Sequence, residues 1–263
     1  MPSTILPLEI EEIILNILGA ADDEDDESHF ALKTCSLVCQ AFLPICRKHI
    51  FGKVVLNDQV GSSHNTHAFE RLLRETPEIA DHIRKLHYIN GIADLPRPSI
   101  QESLKRISKL KFLTVWQHHT IRRLGWSNNP IRPALLQLLH LPTLTHFQVT
   151  RVRDFVVSDL IPCVNLKYLN IGNFTTVAAE NLNTFPATLP EYSIQLNEFV
   201  PRARTSTAIM KLCTAQRPDG QPIIDFGSLS KITVSFEKPN EGEASQELFR
   251  RCHSLTNVSI SCK

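Results

Sequence analysis

The chain has 263 residues, 42% of them hydrophobic, and its 28 basic and 27 acidic residues give a formal net charge of +1. A chain of this length and composition is expected to bury a core rather than to remain disordered. The balanced charge argues against nucleic acid, whose non-specific binding needs a strong basic excess. It also provides no polybasic patch for a membrane surface, so we expect neither partner.

The cysteines indicate a reducing compartment. There are seven of them, an odd number, and they are scattered along the chain, which favours thiols that serve as core residues. No apolar run approaches the ~20 residues that span a bilayer, and the N-terminus lacks the basic start of a secretory signal. We therefore expect a cytoplasmic or nuclear protein. The sequence contains no glycine-rich phosphate loop and no zinc-protease or serine-hydrolase motif, so we expect a non-catalytic protein without a cofactor.

The first predicted element is a helix that begins near Pro7, since proline is tolerated in the first turn of a helix. Five apolar residues then recur at helical spacing and form one stripe, while Leu8 and Leu15 form a narrower stripe on the other side. Six acidic residues at 22–27 are predicted to end this helix in a solvated loop, because like charges repel. The wider stripe consists of Ile10, Ile13, Ile14, Ile17 and Leu18.

A second helix is predicted from Ser28, which can cap it, to Pro44, which ends or kinks it. This helix is apolar nearly all round, so it should be buried on more than one side. A short third helix is predicted over residues 45–51. A unit of this size is too small to be stable by itself. Its helices therefore need the rest of the chain and a second protein as neighbours.

Three cysteines and a histidine in this region raise the question of a metal site. Cys35 and Cys39 fall in the middle of the wider apolar arc of the second helix, and Cys46 and His49 follow beyond the proline. A zinc site needs four ligands in a tetrahedron. Because two of these candidates already have a packing role, we expect core cysteines and no metal.

The order and spacing of these motifs resemble an F-box of the kind found in large fungal families. The matching segments are LPxEI at 6–10, IIxxIL at 13–18, LxxCSLVCxxF at 32–42 and IF at 50–51. Phe42 stands where the family commonly has tryptophan, and the acidic run lengthens the first loop between helices. The resemblance implies a small three-helix domain over residues 1–51.

An F-box domain docks on the small Skp-type adaptor of cullin ubiquitin ligases, and the segment after it holds the substrate. The resemblance therefore implies a substrate receptor of an SCF ubiquitin ligase, which directs an unidentified protein substrate to ubiquitin-dependent degradation. Carried over by position, the adaptor-binding residues are Leu6, Pro7, Ile10, Ile13, Ile14, Leu37, Val38 and Phe42.

A short pattern recurs through the rest of the chain: apolar, two variable, apolar, one variable, apolar. The last two apolar positions of each triplet alternate as in a half-buried strand, and helix-like stretches lie between the triplets. The triplets are Phe51-Val54-Leu56, Ile83-Leu86-Tyr88, Leu110-Leu113-Val115, Leu144-Phe147-Val149, Leu166-Leu169-Ile171, Leu189-Tyr192-Ile194, Leu229-Ile232-Val234 and Leu255-Val258-Ile260.

Strand, loop and helix at an irregular spacing of roughly 22–40 residues resemble leucine-rich repeats. We therefore predict an α+β protein, in which the three-helix F-box is followed over residues 52–263 by an irregular α/β solenoid with a parallel sheet. An ordinary α/β domain with short strands of the same pattern is the alternative, and a parallel sheet with helices on one face is common to both.

In a solenoid, the residues that flank the middle apolar residue of each triplet point to the concave face. We predict substrate binding there, with Trp116 and Tyr168 as anchors, because exposed aromatic side chains dominate interface hot spots. The alternative for Trp116 is packing under a neighbouring loop. The predicted substrate-binding residues are His87, Trp116, His146, Gln148, Tyr168 and Asn170.

Two other functions stay open at this point. One is a free-standing leucine-rich-repeat scaffold for protein interactions that is not linked to ubiquitin. The other is a cysteine-dependent enzyme, which needs a histidine within reach and an electropositive, partly exposed setting for the thiol. Co-purification with a Skp-type adaptor separates the receptor from the scaffold.

Overall fold

A computed structural model describes residues 8–20, 26–57, 64–90, 98–118, 125–178, 189–237 and 241–262 of the chain. The fold is mixed α/β: three helices come first, and strands and further helices follow. The helices are α1 (Leu8–Gly19), α2 (Asp26–Val38), α3 (Phe42–Ile50), α4 (His64–Glu75), α5 (Pro98–Lys105), α6 (Arg132–Leu139), α7 (Ser206–Thr214) and α8 (Gly242–Arg251). The strands are β1 (Lys53–Asn57), β2 (Lys85–Asn90), β3 (Phe112–Gln117), β4 (His146–Thr150), β5 (Tyr168–Ile171), β6 (Ile194–Gln195), β7 (Glu198–Pro201), β8 (Ile224–Asp225), β9 (Lys231–Phe236) and β10 (Asn257–Cys262). From β1 onward, strands alternate with helices except at β4–β7 and at β8–β9, where strands follow one another with no α-helix in the described residues between them.

Eight of these strands form one sheet in which every neighbouring pair is parallel. They cross the sheet in the order in which they occur in the chain, β1-β2-β3-β4-β5-β7-β9-β10. Strands β6 and β8 pair with each other in a separate parallel sheet. The parallel sheet that the sequence predicted, within a fold of helices and strands, is thereby confirmed.

One face of the large sheet is buried against helices α4–α8. Apolar side chains on successive strands lie opposite one another in register and continue into the buried sides of these helices, forming one core. Its central row consists of Leu86, Leu113, Phe147, Leu169, Phe199 and Ile232, none of them more than 1% exposed. Residues in alternate positions of β2, β3 and β4 are partly exposed, so the other face of the sheet is open.

One predicted strand belongs elsewhere in the fold. The triplet at 189–194 does not enter the large sheet; its Ile194 pairs with Ile224 of β8, and its Tyr192 is 67% exposed. The large sheet instead receives β7, in which Phe199 is fully buried. The same apolar pattern occurs at Leu196, Phe199 and Pro201, so the signal for β7 was present in the sequence.

Helices α1–α3 pack around a small core of their own, formed by Leu15, Leu32 and Cys46. Several half-buried side chains complete this core: Leu18, Cys35, Phe42, Ile45 and Ile50. It is separate from the core beneath the sheet. None of the described helices combines the length and hydropathy needed to cross a bilayer.

The boundaries of α2 differ from the prediction at both ends. The helix begins at Asp26, so the end of the acidic run at 22–27 is helical rather than part of a loop. It ends at Val38, before Cys39, and Pro44 lies in the first turn of α3, where proline is tolerated. A single helix through this region would have placed that proline in its interior. The helix therefore ends earlier, and residues 39–41 separate α2 from α3.

Candidate interaction surfaces

The wider apolar stripe of α1 faces outward. Ile10 is 42% exposed, Ile13 53%, Ile14 45% and Ile17 66%, whereas Leu15 on the opposite side is buried in the small core. Positions three and four apart on a helix are surface neighbours, so the four isoleucines form one continuous apolar strip. Folding of the described residues leaves this strip without a partner.

The end of α2 presents further apolar side chains to solvent. Leu37 is 87% exposed and Val38 is 73% exposed, and Phe30 on the same helix is 72% exposed. Helices α1 and α2 pack against each other around the same small core. We call the exposed apolar residues of both helices the α1–α2 surface; it consists of Ile10, Ile13, Ile14, Ile17, Phe30, Leu37 and Val38.

Five of the eight predicted adaptor-binding residues lie on the α1–α2 surface. Phe42 does not, because its ring is half-buried against the small core and has a structural role there. Leu6 and Pro7 lie outside the described residues. Helical spacing alone does not divide the apolar residues between the inner and the outer side of α1, whereas their burial in the structure does.

The cysteines of this region do not form a cluster. Cys46 is buried, Cys35 is half-buried, and Cys39 is exposed beyond the end of α2, so the prediction that Cys39 is a core residue is wrong. His49 Nε2 donates a hydrogen bond to Asn16 Oδ1 at 2.9 Å, and burial lowers its pKa. Across the described ranges, no group of three or more histidine, cysteine or acidic side chains is placed to hold a metal ion.

The cysteines whose pKa is shifted are not activated for catalysis, because each of these shifts is upward. Burial raises the pKa of Cys46, Cys163, Cys213 and Cys252, the last to about 11. A catalytic cysteine needs the opposite, a pKa lowered by nearby positive charge. These four thiols therefore have the properties of structural core residues.

On the open face of the sheet, aromatic rings stack across three neighbouring strands. The His146 ring lies between Phe112, with ring centroids 4.0 Å apart, and Tyr168, at 5.3 Å, and both pairs are inclined by 27°. Parallel pairing places these residues directly opposite one another. Lys85 Nζ lies 5.4 Å from the Phe112 ring centroid at one end, and Lys231 Nζ lies 3.1 Å from Glu198 Oε1 at the other.

This aromatic row borders a cavity of about 290 Å³. Four of the six predicted substrate-binding residues line it: His87, His146, Gln148 and Tyr168. Stacked aromatic side chains with charged neighbours offer a large contact area at low conformational cost, as interface hot spots do.

The other two predicted residues lie elsewhere on this face. Trp116 is half-buried two rows beyond the aromatic row, between Ile89 and Thr150, and the Arg151 guanidinium lies 5.5 Å from its ring centroid, within the range of a cation–π interaction. Asn170 is only 3% exposed, so it forms the floor of the surface rather than a contact on its outside. Its Nδ2 donates a hydrogen bond to the Tyr168 hydroxyl at 3.2 Å.

The surroundings of His146 in the aromatic row shift the pKa of its imidazole. Burial lowers the pKa of His146 below its ordinary value of 6.5, the Lys85 ammonium lowers it further, and the Glu198 carboxylate partly offsets both. The unfolded chain therefore takes up a proton at this site more readily than the folded chain. The contribution of His146 to stability is complete above pH 6.5 and is lost as the pH falls below that value.

We expect the His146 ring to titrate with a midpoint below 6.5 in the folded protein. Lys85→Met should raise this midpoint, because a repulsive charge is removed, and Glu198→Gln should lower it, because an attractive one is removed. Proton NMR of the imidazole as a function of pH measures all three values, with the urea-unfolded chain as the reference. A midpoint at or above that of the unfolded chain contradicts the electrostatic account.

A polar cluster beneath the sheet contains none of the predicted site residues. The buried indole N–H of Trp126 donates to Asp159 Oδ2 at 2.6 Å, and Arg132 Nη2 donates to Asp159 Oδ1 at 2.8 Å. His140 Nε2 donates to the backbone oxygen of Asp159 at 2.8 Å. The Asp159 side chain is only 7% exposed, so one carboxylate satisfies several buried donors and ties α6 to the segment before β5.

Comparison with known proteins adds no assignment to this geometry. No protein-family model matches the chain, and a search of curated proteins gave no significant match.

Proposed function

We propose that the chain is a substrate receptor of a cullin-type SCF ubiquitin ligase. In this proposal, α1–α3 form an F-box that binds a Skp-type adaptor, and the α/β region is an irregular leucine-rich-repeat solenoid whose open face binds a protein substrate. The receptor has no chemistry of its own and acts in the cytoplasm or nucleus by holding the substrate near the ligase.

The α1–α2 surface is the observation that carries this proposal. Half of the fourteen large hydrophobic residues exposed in the described part of the chain lie on these two helices. Burying one such side chain is worth ~1.5–3 kcal/mol, and an exposed apolar patch of this kind is typical of a protein-interaction site. Its position coincides with the segments that resemble an F-box.

The order of the strands supports the solenoid. In a repeat protein each unit contacts mainly its neighbours, so successive strands lie side by side and parallel. The large sheet has this order, with helices packed on one face and a row of aromatic and charged side chains on the other. Such a face suits a protein substrate, because its contacts come from several repeats at once.

A free-standing interaction scaffold uses the same open face of the sheet, but it leaves the α1–α2 surface exposed with no function. Capture of the adaptor distinguishes the two. When the full chain is co-expressed with a Skp-type adaptor, we expect both proteins to elute as one complex in size-exclusion chromatography. A folded chain that elutes alone, or only as a complex with itself, contradicts the receptor function and favours the scaffold.

A further inference from the structure

A second cavity on the open face of the sheet has a polar lining. Its volume is about 300 Å³, and it lies over β4, β5 and the strands that follow. Gly172 and Thr150 pack against each other in its lining: a Cβ on Gly172 would overlap the Thr150 side chain, so only glycine at 172 allows Thr150 its present position. The lining residues on the next strands, Ser235 and Ser261, are small and hydrogen-bonded to each other.

Two buried polar atoms at this cavity have no hydrogen-bond partner. They are Asn170 Oδ1 and Thr150 Oγ1, and Asn170 is 3% exposed. Buried polar atoms in folded proteins are nearly always paired, and each exception calls for a physical reason. The amide oxygen can only accept a hydrogen bond, whereas the hydroxyl can donate or accept. A ligand that pairs with both atoms therefore carries an N–H group for Asn170 Oδ1 and an acceptor oxygen for the Thr150 hydroxyl.

The charges at the cavity favour an anion. Arg202 lines the cavity, and its guanidinium makes no ion pair or hydrogen bond within the described ranges. Glu237 also lines it, but Arg204 Nε lies 2.5 Å from Glu237 Oε2 and compensates that carboxylate. A cationic ligand would have to displace Arg204, whereas a carboxylate meets a guanidinium suited to bidentate binding.

The size of the cavity restricts the ligand further. Small-molecule sites occupy about 300–1,000 Å³, so this one is at the lower limit and admits an end group rather than a folded segment. We propose that the cavity binds an amide N–H joined through one carbon to a carboxylate. This group ends polypeptide chains and N-acylated α-amino acids, except where the last residue is proline, which lacks the N–H. The carboxylate contacts Arg202 and Thr150, and the N–H donates to Asn170 Oδ1.

In the proposed receptor, this group is the feature by which a substrate is selected, and that use rests on the proposed function. The binding itself does not, because it requires only the chain. Capture of the Skp-type adaptor is therefore measured on the same protein preparations. A chain that binds the ligand but not the adaptor overturns the receptor function alone, and the reverse result overturns the cavity alone.

Isothermal titration calorimetry with the full chain provides the test. The probes are N-acetylalanine, a pool of N-acetylated hexapeptides randomised at the last two positions, and the C-terminally amidated form of each. We expect the free acids to bind at least tenfold more tightly than the amides. Equal affinity for acid and amide, or no binding of either acid, overturns the proposal.

Three variants assign the contacts. Arg202→Gln should remove the preference for the free acid, while Arg71→Gln, at an exposed arginine of α4, should leave it intact. Gly172→Ala should abolish binding by forcing the Thr150 side chain out of its position in the lining, and Thr150→Val weakens binding without adding volume if the Gly172 variant fails to fold. Unchanged acid binding in Arg202→Gln overturns the assignment. Tighter binding of the hexapeptides than of N-acetylalanine identifies a polypeptide C-terminus as the source of the group, and equal binding identifies a free N-acyl amino acid.

Discussion

Leu37→Asp is expected to abolish capture of the Skp-type adaptor while leaving the melting temperature of the chain unchanged. Leu37 is 87% exposed, so an aspartate there costs the free chain little. In the complex, the substitution removes a buried leucine, worth ~1.5–3 kcal/mol, and buries a carboxylate without a partner. Since 1.4 kcal/mol is a factor of ten in affinity, the dissociation constant should rise by roughly 100-fold or more.

Two further variants complete the experiment. Ile14→Asp, on the α1 strip, should have the same effect, because Ile14 is 45% exposed in the free chain. Val164→Asp, at an apolar residue 41% exposed between β4 and β5, should bind the adaptor as the unaltered chain does. Affinity is measured by calorimetry and folding by circular dichroism. Equal affinities for Leu37→Asp and Val164→Asp would exclude the α1–α2 surface as the docking site.

Asp159→Ala should be among the most destabilising single substitutions in the protein. It leaves the Trp126 indole N–H without its acceptor and the Arg132 guanidinium without its counter-ion in a mostly buried setting. Removing one partner of a buried ion pair typically costs 3–5 kcal/mol, because the remaining charge is uncompensated. We expect a loss of this size, about 3–5 kcal/mol, in the free energy of unfolding measured by urea denaturation.

Asp81→Ala is the matched control for this substitution. Asp81 is exposed, and Lys109 Nζ lies 3.5 Å from its carboxylate. Surface ion pairs contribute about 0–1 kcal/mol, so this variant should remain close to the unaltered chain. Asp159→Asn should fall between the two, since an amide oxygen still accepts from Trp126. A loss at Asp159→Ala no larger than at Asp81→Ala would show that the buried cluster contributes little to stability.

The sequence predicted the parallel sheet well because the sheet depends on local alternation. A strand that is buried on one face repeats apolar residues at every second position, and five or six residues are enough to recognise this repeat. The same rule could not separate β7 from the triplet at 189–194, since both show the pattern. Which strand joins the large sheet depends on pairing with β5 and β9. Because these partners are distant along the chain, the local sequence pattern contains no information about the pairing.

The site was less accessible to prediction, for two physical reasons. Helical spacing identifies an apolar stripe but not whether it faces inward. Phe42 and the α1 isoleucines were therefore equally good candidates for adaptor binding until their burial was known. The polar cavity combines residues from different strands, among them Arg202 on a segment that follows a strand the sequence did not assign. The flanking-residue rule would have placed Ser235 and Ser261 on the open face if it had been extended to the last two triplets.

The strand order also has a mechanical consequence. Each strand of the large sheet pairs only with its neighbours in the series, and β10 lies at one edge with all six residues exposed. A force that pulls β10 away from the body of the protein therefore loads one ladder of hydrogen bonds at a time. The sheet would come apart strand by strand, starting with β10. A motor that pulls on this edge strand would thus meet a series of small barriers rather than one large one.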